Sequence, residues 1–288
     1  MTVVVVGAGI AGLACARELV DAGVPARVLD RADEVGGRLA SERLGDRWVD
    51  TGAAYLTADD PAFLGRVQSW RIDGLIRPWT DTFRGQHGPG PMRWAAPGGL
   101  RSLAADLARE LDVTLGAEVT ARPEADVVVL AMPGPQALRI ADLPAAREQS
   151  WSPVVTAVLT YPERVWPDFA GAFVNDHPVL TTVCDDGDRR GDRAPVLVAH
   201  STAAFAREHP DDGGPILARA VGELLGIGDQ PQLTVRHWPQ ALPKAGRGAF
   251  AVHDGVYLCG DAFGRPRVQT AWQSGRAVAR RIIQSTER

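Results

Sequence analysis

The chain has 288 residues, 45% hydrophobic and 23% charged, with 31 Lys and Arg against 35 Asp and Glu for a formal net charge of −4. This is the profile of an ordinary soluble globular protein with room for one large domain or two intertwined ones, and without a basic run it argues against a nucleic-acid partner. Three widely spaced cysteines (Cys15, Cys184, Cys259) and six histidines without H-x-x-x-H spacing offer neither a disulfide framework nor a metal site, which fits a reducing, cytoplasmic setting.

Strand material starts at once. Val3 to Val6 is a β-branched run suited to a buried strand, and no charged leader or long apolar segment precedes it, so neither a signal peptide nor a membrane span is expected. Gly7, Gly9 and Gly12 then spell G-x-G-x-x-G. The first glycine suits a tight strand-to-helix turn, the second lets a pyrophosphate approach the backbone, and the third lets the helix pack close to the strand. Ala11 to Ala22 is the expected helix, with Leu13, Ala16, Leu19 and Val20 on one face and Gly23 at its stop. Its N-terminus would present unpaired N–H groups to phosphate. Arg27 to Leu29 is the second strand, ending at Asp30, 18 residues after Gly12 and close to the spacing of a ribose-binding acid. Without a ligand, the same glycines would make only a tight turn. Gly36-Gly37-Arg38 favours flavin over nicotinamide, because a second glycine pair followed by a guanidinium suggests a second approach to the pyrophosphate.

From Val3 to Arg38 the chain resembles, nearly position by position, the extended dinucleotide signature of the flavin-containing amine oxidases and their relatives. The resemblance implies an α/β fold, with a Rossmann-like FAD-binding domain of the glutathione-reductase type and a discontinuous substrate domain built on a mostly antiparallel sheet. It implies an FAD site at Gly7, Gly9, Ile10, Ala11, Gly12, Asp30, Arg31, Gly36, Gly37 and Arg38. Asp30 replaces the more usual Glu and can still accept from both ribose hydroxyls.

Next, Asp50 to Thr57 reads D-x-G-A-x-Y-x-T, the form carried by the renalases, the relatives this chain resembles most. In that family the stretch lies along the flavin ring, which adds Gly52, Ala53 and Ala54 to the expected cofactor contacts and Tyr55 to the pocket. Read bare, it is a strand ending in a glycine turn. Pro61 to Trp70 is an expected helix capped by Asp59 or Asp60, and Leu100 to Leu111 a second, with apolar residues at i, i+3, i+4, i+7, i+8 and i+11. Val113 to Leu115 and Glu118 to Thr120 are expected short strands, and the family places Val119 at the adenine. Only Ala121 to Ala125 separates Thr120 from the next strand, Val127 to Met132, so the family's small meander is deleted here.

After Gly134 prolines and aromatics increase. Val154 to Thr160 and Val196 to His200 are expected strands of an antiparallel sheet, Asp185 to Arg193 a solvated hairpin tip, and Ile216 to Leu225 a helix. Arg236-His237-Trp238 resembles an element of the renalase pocket. Read without the family, Trp238 is core and His237 a satisfied histidine. Lys244 is the only lysine and sits in a Pro/Gly-rich loop. It is expected to be exposed, unlike the flavin-side lysine of many amine oxidases, which counts against an amine substrate.

Val256 to Asp261 is a strand ending in Gly-Asp, and a helix is expected from Val268. The resemblance assigns Gly260, Asp261, Val268 and Gln269 to FAD and offers Trp272 to the pocket. Cys259 is not where monoamine oxidases tether flavin, so FAD is expected to be non-covalent. The implied organisation is an FAD-binding domain of residues 1–55, 95–135 and 250–288 and a substrate domain of 56–94 and 136–249. The implied activity is hydride transfer from a small substrate to flavin N5 with reoxidation by O2 to H2O2, the renalase substrate being misreduced dihydro-NAD(P) isomers. A small amine or secondary-metabolite oxidase and a non-catalytic flavin-binding protein remain open. A nicotinamide dehydrogenase is disfavoured by Gly36-Gly37-Arg38 and Gly260-Asp261.

Overall fold

The computed structural model describes residues 1–286. In chain order the first elements are β1 (Val3–Val6), α1 (Ile10–Asp21) and β2 (Ala26–Leu29), then a 3₁₀ turn at Gly37–Leu39 and the hairpin β3 (Ser41–Leu44) and β4 (Arg47–Asp50). Helix α2 (Pro61–Ile72) and the hairpin β5 (Arg77–Thr80) and β6 (Arg93–Ala95) follow, then α3 (Arg101–Ala108), β7 (Asp112–Thr114) and β8 (Val127–Leu130). After the short helices α4 (Gly134–Ala137) and α5 (Pro144–Arg147) come β9 (Trp151–Thr160), β10 (Gly171–Phe173), β11 (Leu180–Asp185), α6 (Asp186–Arg190) and β12 (Val196–Ser201). Helices α7 (Ala203–Glu208) and α8 (Gly214–Leu225) lead to β13 (Gln232–Pro243), and the chain closes with β14 (Ala251–His253), β15 (Val256–Leu258) and α9 (Val268–Thr286).

Two sheets organise these elements. The first runs β14-β15-β8-β1-β2-β7, parallel except for the edge strand β14. The second runs β10-β11-β12-β9-β13 and is antiparallel throughout. The chain leaves the first sheet after β8 and returns to it at β14. Valines fill β1 because both of its faces are covered, as in most parallel sheets. Gly7, at φ +111°, makes the turn after β1, where a Cβ would stand 2.5 Å from the Ala131 carbonyl oxygen.

Helix α9 lies so close to α1 that a Cβ on Gly275 would fall 1.9 Å from the Ala11 carbonyl oxygen. The first core therefore joins Leu13 and Leu19 of α1 to Val278 and Ile282 of α9. Phe63, Val67 and Trp70 of α2 pack in this core too. The second core lies under the antiparallel sheet, where Val155, Ala157 and Leu159 meet Phe205, Leu217 and Val221.

Helix α2 starts as expected: Pro61 follows Asp60, whose side chain accepts from the Phe63 N–H at 2.9 Å. Two expectations fail. Glu118–Thr120 is not a strand, because β7 ends at Thr114 and no partner strand runs beside the segment that follows. Asp185–Arg193 is not a solvated tip, because α6 occupies it and Asp185, Asp186 and Arg189 are no more than 1% exposed. Asp186 and Arg189 pair with each other and with Arg47 and Asp50 from far along the chain, as described below, and Asp185 pairs with Arg164. Among the described residues, no helix is long and apolar enough to cross a membrane and no three His, Cys, Asp or Glu side chains are grouped to hold a metal ion.

Candidate functional site

A cavity of about 1180 Å³ lies between the two sheets. One wall is the turn after β1. Gly9 caps α1 with no side-chain cap, and a Cβ there would meet no protein atom within 4 Å, so backbone N–H groups face open space. Gly260, at φ +149°, is equally open on the far side. These two bare backbone surfaces form a cradle that fits the pyrophosphate and ribityl chain of a flavin nucleotide. Gly7, Ile10, Ala11, Arg31, Gly36, Gly37, Ala53 and Val119 line the same cavity, as expected.

Other expected residues are engaged within the protein or lie outside the cavity. Gly12 does not line the cavity; a Cβ on it would sit 1.9 Å from the Gly7 carbonyl oxygen, so its role is helix packing. Asp30 lines the cavity, but its carboxylate already accepts from the Ala8 N–H at 2.5 Å and the Ala32 N–H at 2.8 Å. Arg38 and Asp261, both expected to grip the cofactor, grip each other, with Nη1 and Nη2 donating at 2.9 and 2.6 Å. Arg38 also stacks over Trp151 at 4.9 Å. Val268 lines the cavity, but Gln269, one residue along the helix, turns away and is 2% exposed. Its amide oxygen accepts from the Asp59 and Asp60 N–H groups, tying α9 to the start of α2. Trp272 is also out of the cavity. It packs in the first core, 5.2 Å from Phe63 and 4.5 Å beneath the Arg276 guanidinium.

The opposite wall is the antiparallel sheet. Strand alternation decides which side chains reach the cavity. Trp238 faces it and donates to the Thr51 carbonyl at 2.8 Å; Arg236 faces it and pairs with Glu42 at 3.2 Å. His237 lies between them and pairs in register with Val155 of the second core. It borders the cavity through its strand, and its ring is turned to the other face. Tyr55 does line the cavity, edge-on to Phe83 at 5.5 Å with the Arg93 guanidinium 5.2 Å from its ring. Burial raises its phenol above the ordinary range, opposed by Arg93. Lys244 is exposed and away from the cavity.

Sequence reasoning missed two groups. The first is His200, whose Nε2 contacts the Gly52 carbonyl at 3.1 Å and whose Nδ1 contacts the Thr182 hydroxyl at 3.2 Å. With Nε2–H donating and Nδ1 accepting, the ring is neutral, and burial pushes it down to about 4 against the pull of the Gly52 carbonyl. An unfolded histidine titrates near 6.5, so the fold favours the neutral ring. This contribution is complete above about pH 6.5 and is lost as pH falls toward 4, a drop of about 3 kcal/mol at most. Urea unfolding of the wild type against His200→Gln should show the variant losing much of that acid-side slope.

The second group is α6. Asp186 receives Arg47 at 2.7 Å, Arg190 at 3.3 Å and Arg189 through two of its guanidinium nitrogens. Burial alone would raise its carboxyl, but Arg189, Arg190 and Arg47 hold it below the usual range. Arg189 then donates to the Ala54 carbonyl at 2.7 Å, and Arg190 to those of Ala96 and Pro97 at 2.9 and 3.1 Å. Asp50 completes the lattice: it meets Arg190 at 2.9 Å and accepts from Ser41 Oγ and the Leu100 N–H. The Gly52–Tyr55 stretch is thus held from behind by buried ions.

The comparisons with known proteins agree with this architecture. Residues 5–76 match an NAD(P)-binding Rossmann-like domain. A putative protoporphyrinogen oxidase from Exiguobacterium sp. 255-15 superposes with a TM-score of 0.82 at 13% identity over 99% of both chains. A putrescine oxidase double mutant from a redesign of cofactor binding superposes at 0.74, with 15% identity over 99% of this chain and 100% of that one. Among curated proteins, putrescine oxidase from Kocuria rosea is 43% identical over 75 residues, which is 26% of this chain and 16% of that relative. Residues 75–283, more than two thirds of the polypeptide, match the flavin containing amine oxidoreductase family, to which the chain therefore belongs, with FAD as its cofactor.

Proposed function

We propose that this protein is an FAD-dependent oxidase that accepts hydride from the uncharged dihydropyridine ring of a misreduced isomer of NAD(P)H, as in the renalases. FAD supplies a hydride acceptor that O2 can reoxidise with release of H2O2. In this reading residues 1–55, 95–135 and 250–288 form a cofactor domain of the glutathione-reductase type. Residues 56–94 and 136–249 form the domain that covers the substrate. Cys259 lines the cavity as a buried thiol pushed up to about 12, which supports a non-covalent cofactor.

The observation that carries the reading is the charge on the sheet wall. An amine substrate arrives protonated, so it needs a carboxylate to hold it and a base to neutralise it. Glu42 is committed to Arg236 and Thr51, Asp261 to Arg38, and His200 to Gly52. What the chain supplies on this wall is charges that are already paired, beside Trp238 and a neutral His200. Trp238, Tyr55 and the neutral His200 orient a flat ring and exclude water without moving a proton. The test is anaerobic. Purified protein should be yellow and release FAD on denaturation, and borohydride-generated dihydropyridine isomers should bleach it rapidly, with air restoring the colour and forming peroxide. Bleaching by amines instead would favour amine oxidation; bleaching by neither would leave a flavin-binding protein without turnover.

A further inference from the structure

Among the described residues, two buried polar atoms of this sheet have nothing to bond, Thr156 Oγ1 and His237 Nε2, and of the two side chains only Thr156 shares the cavity-facing row of its strand. Thr156 in β9 is fully buried, and its hydroxyl has no hydrogen-bond partner. Such groups are rare in folded proteins and persist where something outside the fold completes them. The neighbours of Thr156 are all engaged. Register places Thr182, His200, Thr156 and Arg236 in one row across four strands, facing the same side. His200 bonds Gly52 and Thr182, while Arg236 bonds Glu42. Two positions further along β9, Val158 packs with Val49 of the β3–β4 hairpin; two positions back, Val154 pairs with Trp238 and borders the cavity. Thr156 stands where the sheet leaves the hairpin and opens on the cavity.

We propose that the Thr156 hydroxyl is a specificity-determining donor to the substrate, and that its acceptor is an uncharged carbonyl such as a carboxamide. The inference rests on the reading of this cavity as the flavin and substrate site. The chemistry favours a neutral acceptor. Arg236 beside it is already paired with Glu42, so a carboxylate at this position would have to compete for it. A protonated amine is excluded as the partner of this hydroxyl, because an ammonium cannot accept a hydrogen bond.

The test titrates the FAD-loaded protein with benzamide, a neutral carboxamide with no hydride to give, and with benzylammonium, which carries a cation on the same ring. The flavin difference spectrum reports occupancy. Benzamide should bind more tightly than benzylammonium. Thr156→Val should weaken benzamide about three- to tenfold, with FAD affinity and Tm undiminished, and Thr156→Ser should recover it to within about twofold. Unchanged benzamide affinity in T156V overturns the proposal, as does a wild type that ignores benzamide or prefers benzylammonium. Weakened FAD binding in T156V would assign the hydroxyl to the cofactor and overturn it too. Bleaching by dihydropyridines is scored separately, so a protein that is bleached but does not sense benzamide keeps its proposed activity and loses this inference.

Discussion

Asp186→Ala should destabilise the protein by about 3–5 kcal/mol, the range for removing one partner from a buried ion cluster. Three guanidinium groups, on Arg47, Arg189 and Arg190, share this carboxylate, and Asp186 is fully buried. Without it, Arg189 and Arg190 are left charged beside only Asp50. The effect should be seen as a lower urea midpoint and a fall in Tm of about 6–10 °C. Asp192→Ala is the contrast: Asp192 meets the same Arg47 at 3.0 Å, but its side chain is 41% exposed, so its removal should cost less than about 1 kcal/mol. Asp186→Ala, unlike Asp192→Ala, should also bind FAD more weakly, because Arg189, which Asp186 anchors, holds the Ala54 carbonyl behind the cavity wall. Equal effects from the two aspartates would show that the cluster is not the anchor described.

The second large effect is expected at Gly52. A Cβ there would stand 2.1 Å from the Arg38 carbonyl oxygen and 3.2 Å from the Ala40 nitrogen. Both are backbone atoms, so no side chain can swing aside. Gly52→Ala must separate the 38–40 and 51–53 segments, which also exchange the Ala53 N–H to Arg38 carbonyl bond at 2.9 Å. The overpacking should cost about 1–3 kcal/mol. Moving Arg38 and Ala53 together deforms two parts of the cavity wall, so FAD affinity should fall by about tenfold or more. Flavin fluorescence on titration measures that loss. Gly65→Ala is the control. Gly65 lies mid-helix in α2 with no protein atom within 4 Å of a Cβ, so alanine should stabilise by about 0.5–1 kcal/mol.

How much of this was legible in the sequence follows from the range of each interaction. Gly7, Gly9, Gly36 and Gly37 are legible because their roles belong to the backbone and to nearby spacing. So is α2, whose cap and proline are neighbours. Asp185–Arg193 is misread because a run of charges is ordinarily solvated. Its burial depends on Arg47 and Asp50, more than a hundred residues away, and nothing local announces them. Gln269 and Trp272 share a helix with Val268, and a family motif cannot say which of them turns inward once α9 settles against α1 and α2. His237 is misplaced by one step of a strand, while Arg236 and Trp238 on either side of it do face the cavity. His200 has no motif at all. It becomes notable only when β12 brings it beneath the Gly52 carbonyl.

The clasp between Arg38 and Asp261 ties the opening glycine motif to the strand by which the chain returns to the first sheet. A nascent chain halted before Asp261 would own the whole opening glycine motif yet leave that guanidinium with no carboxylate to close on.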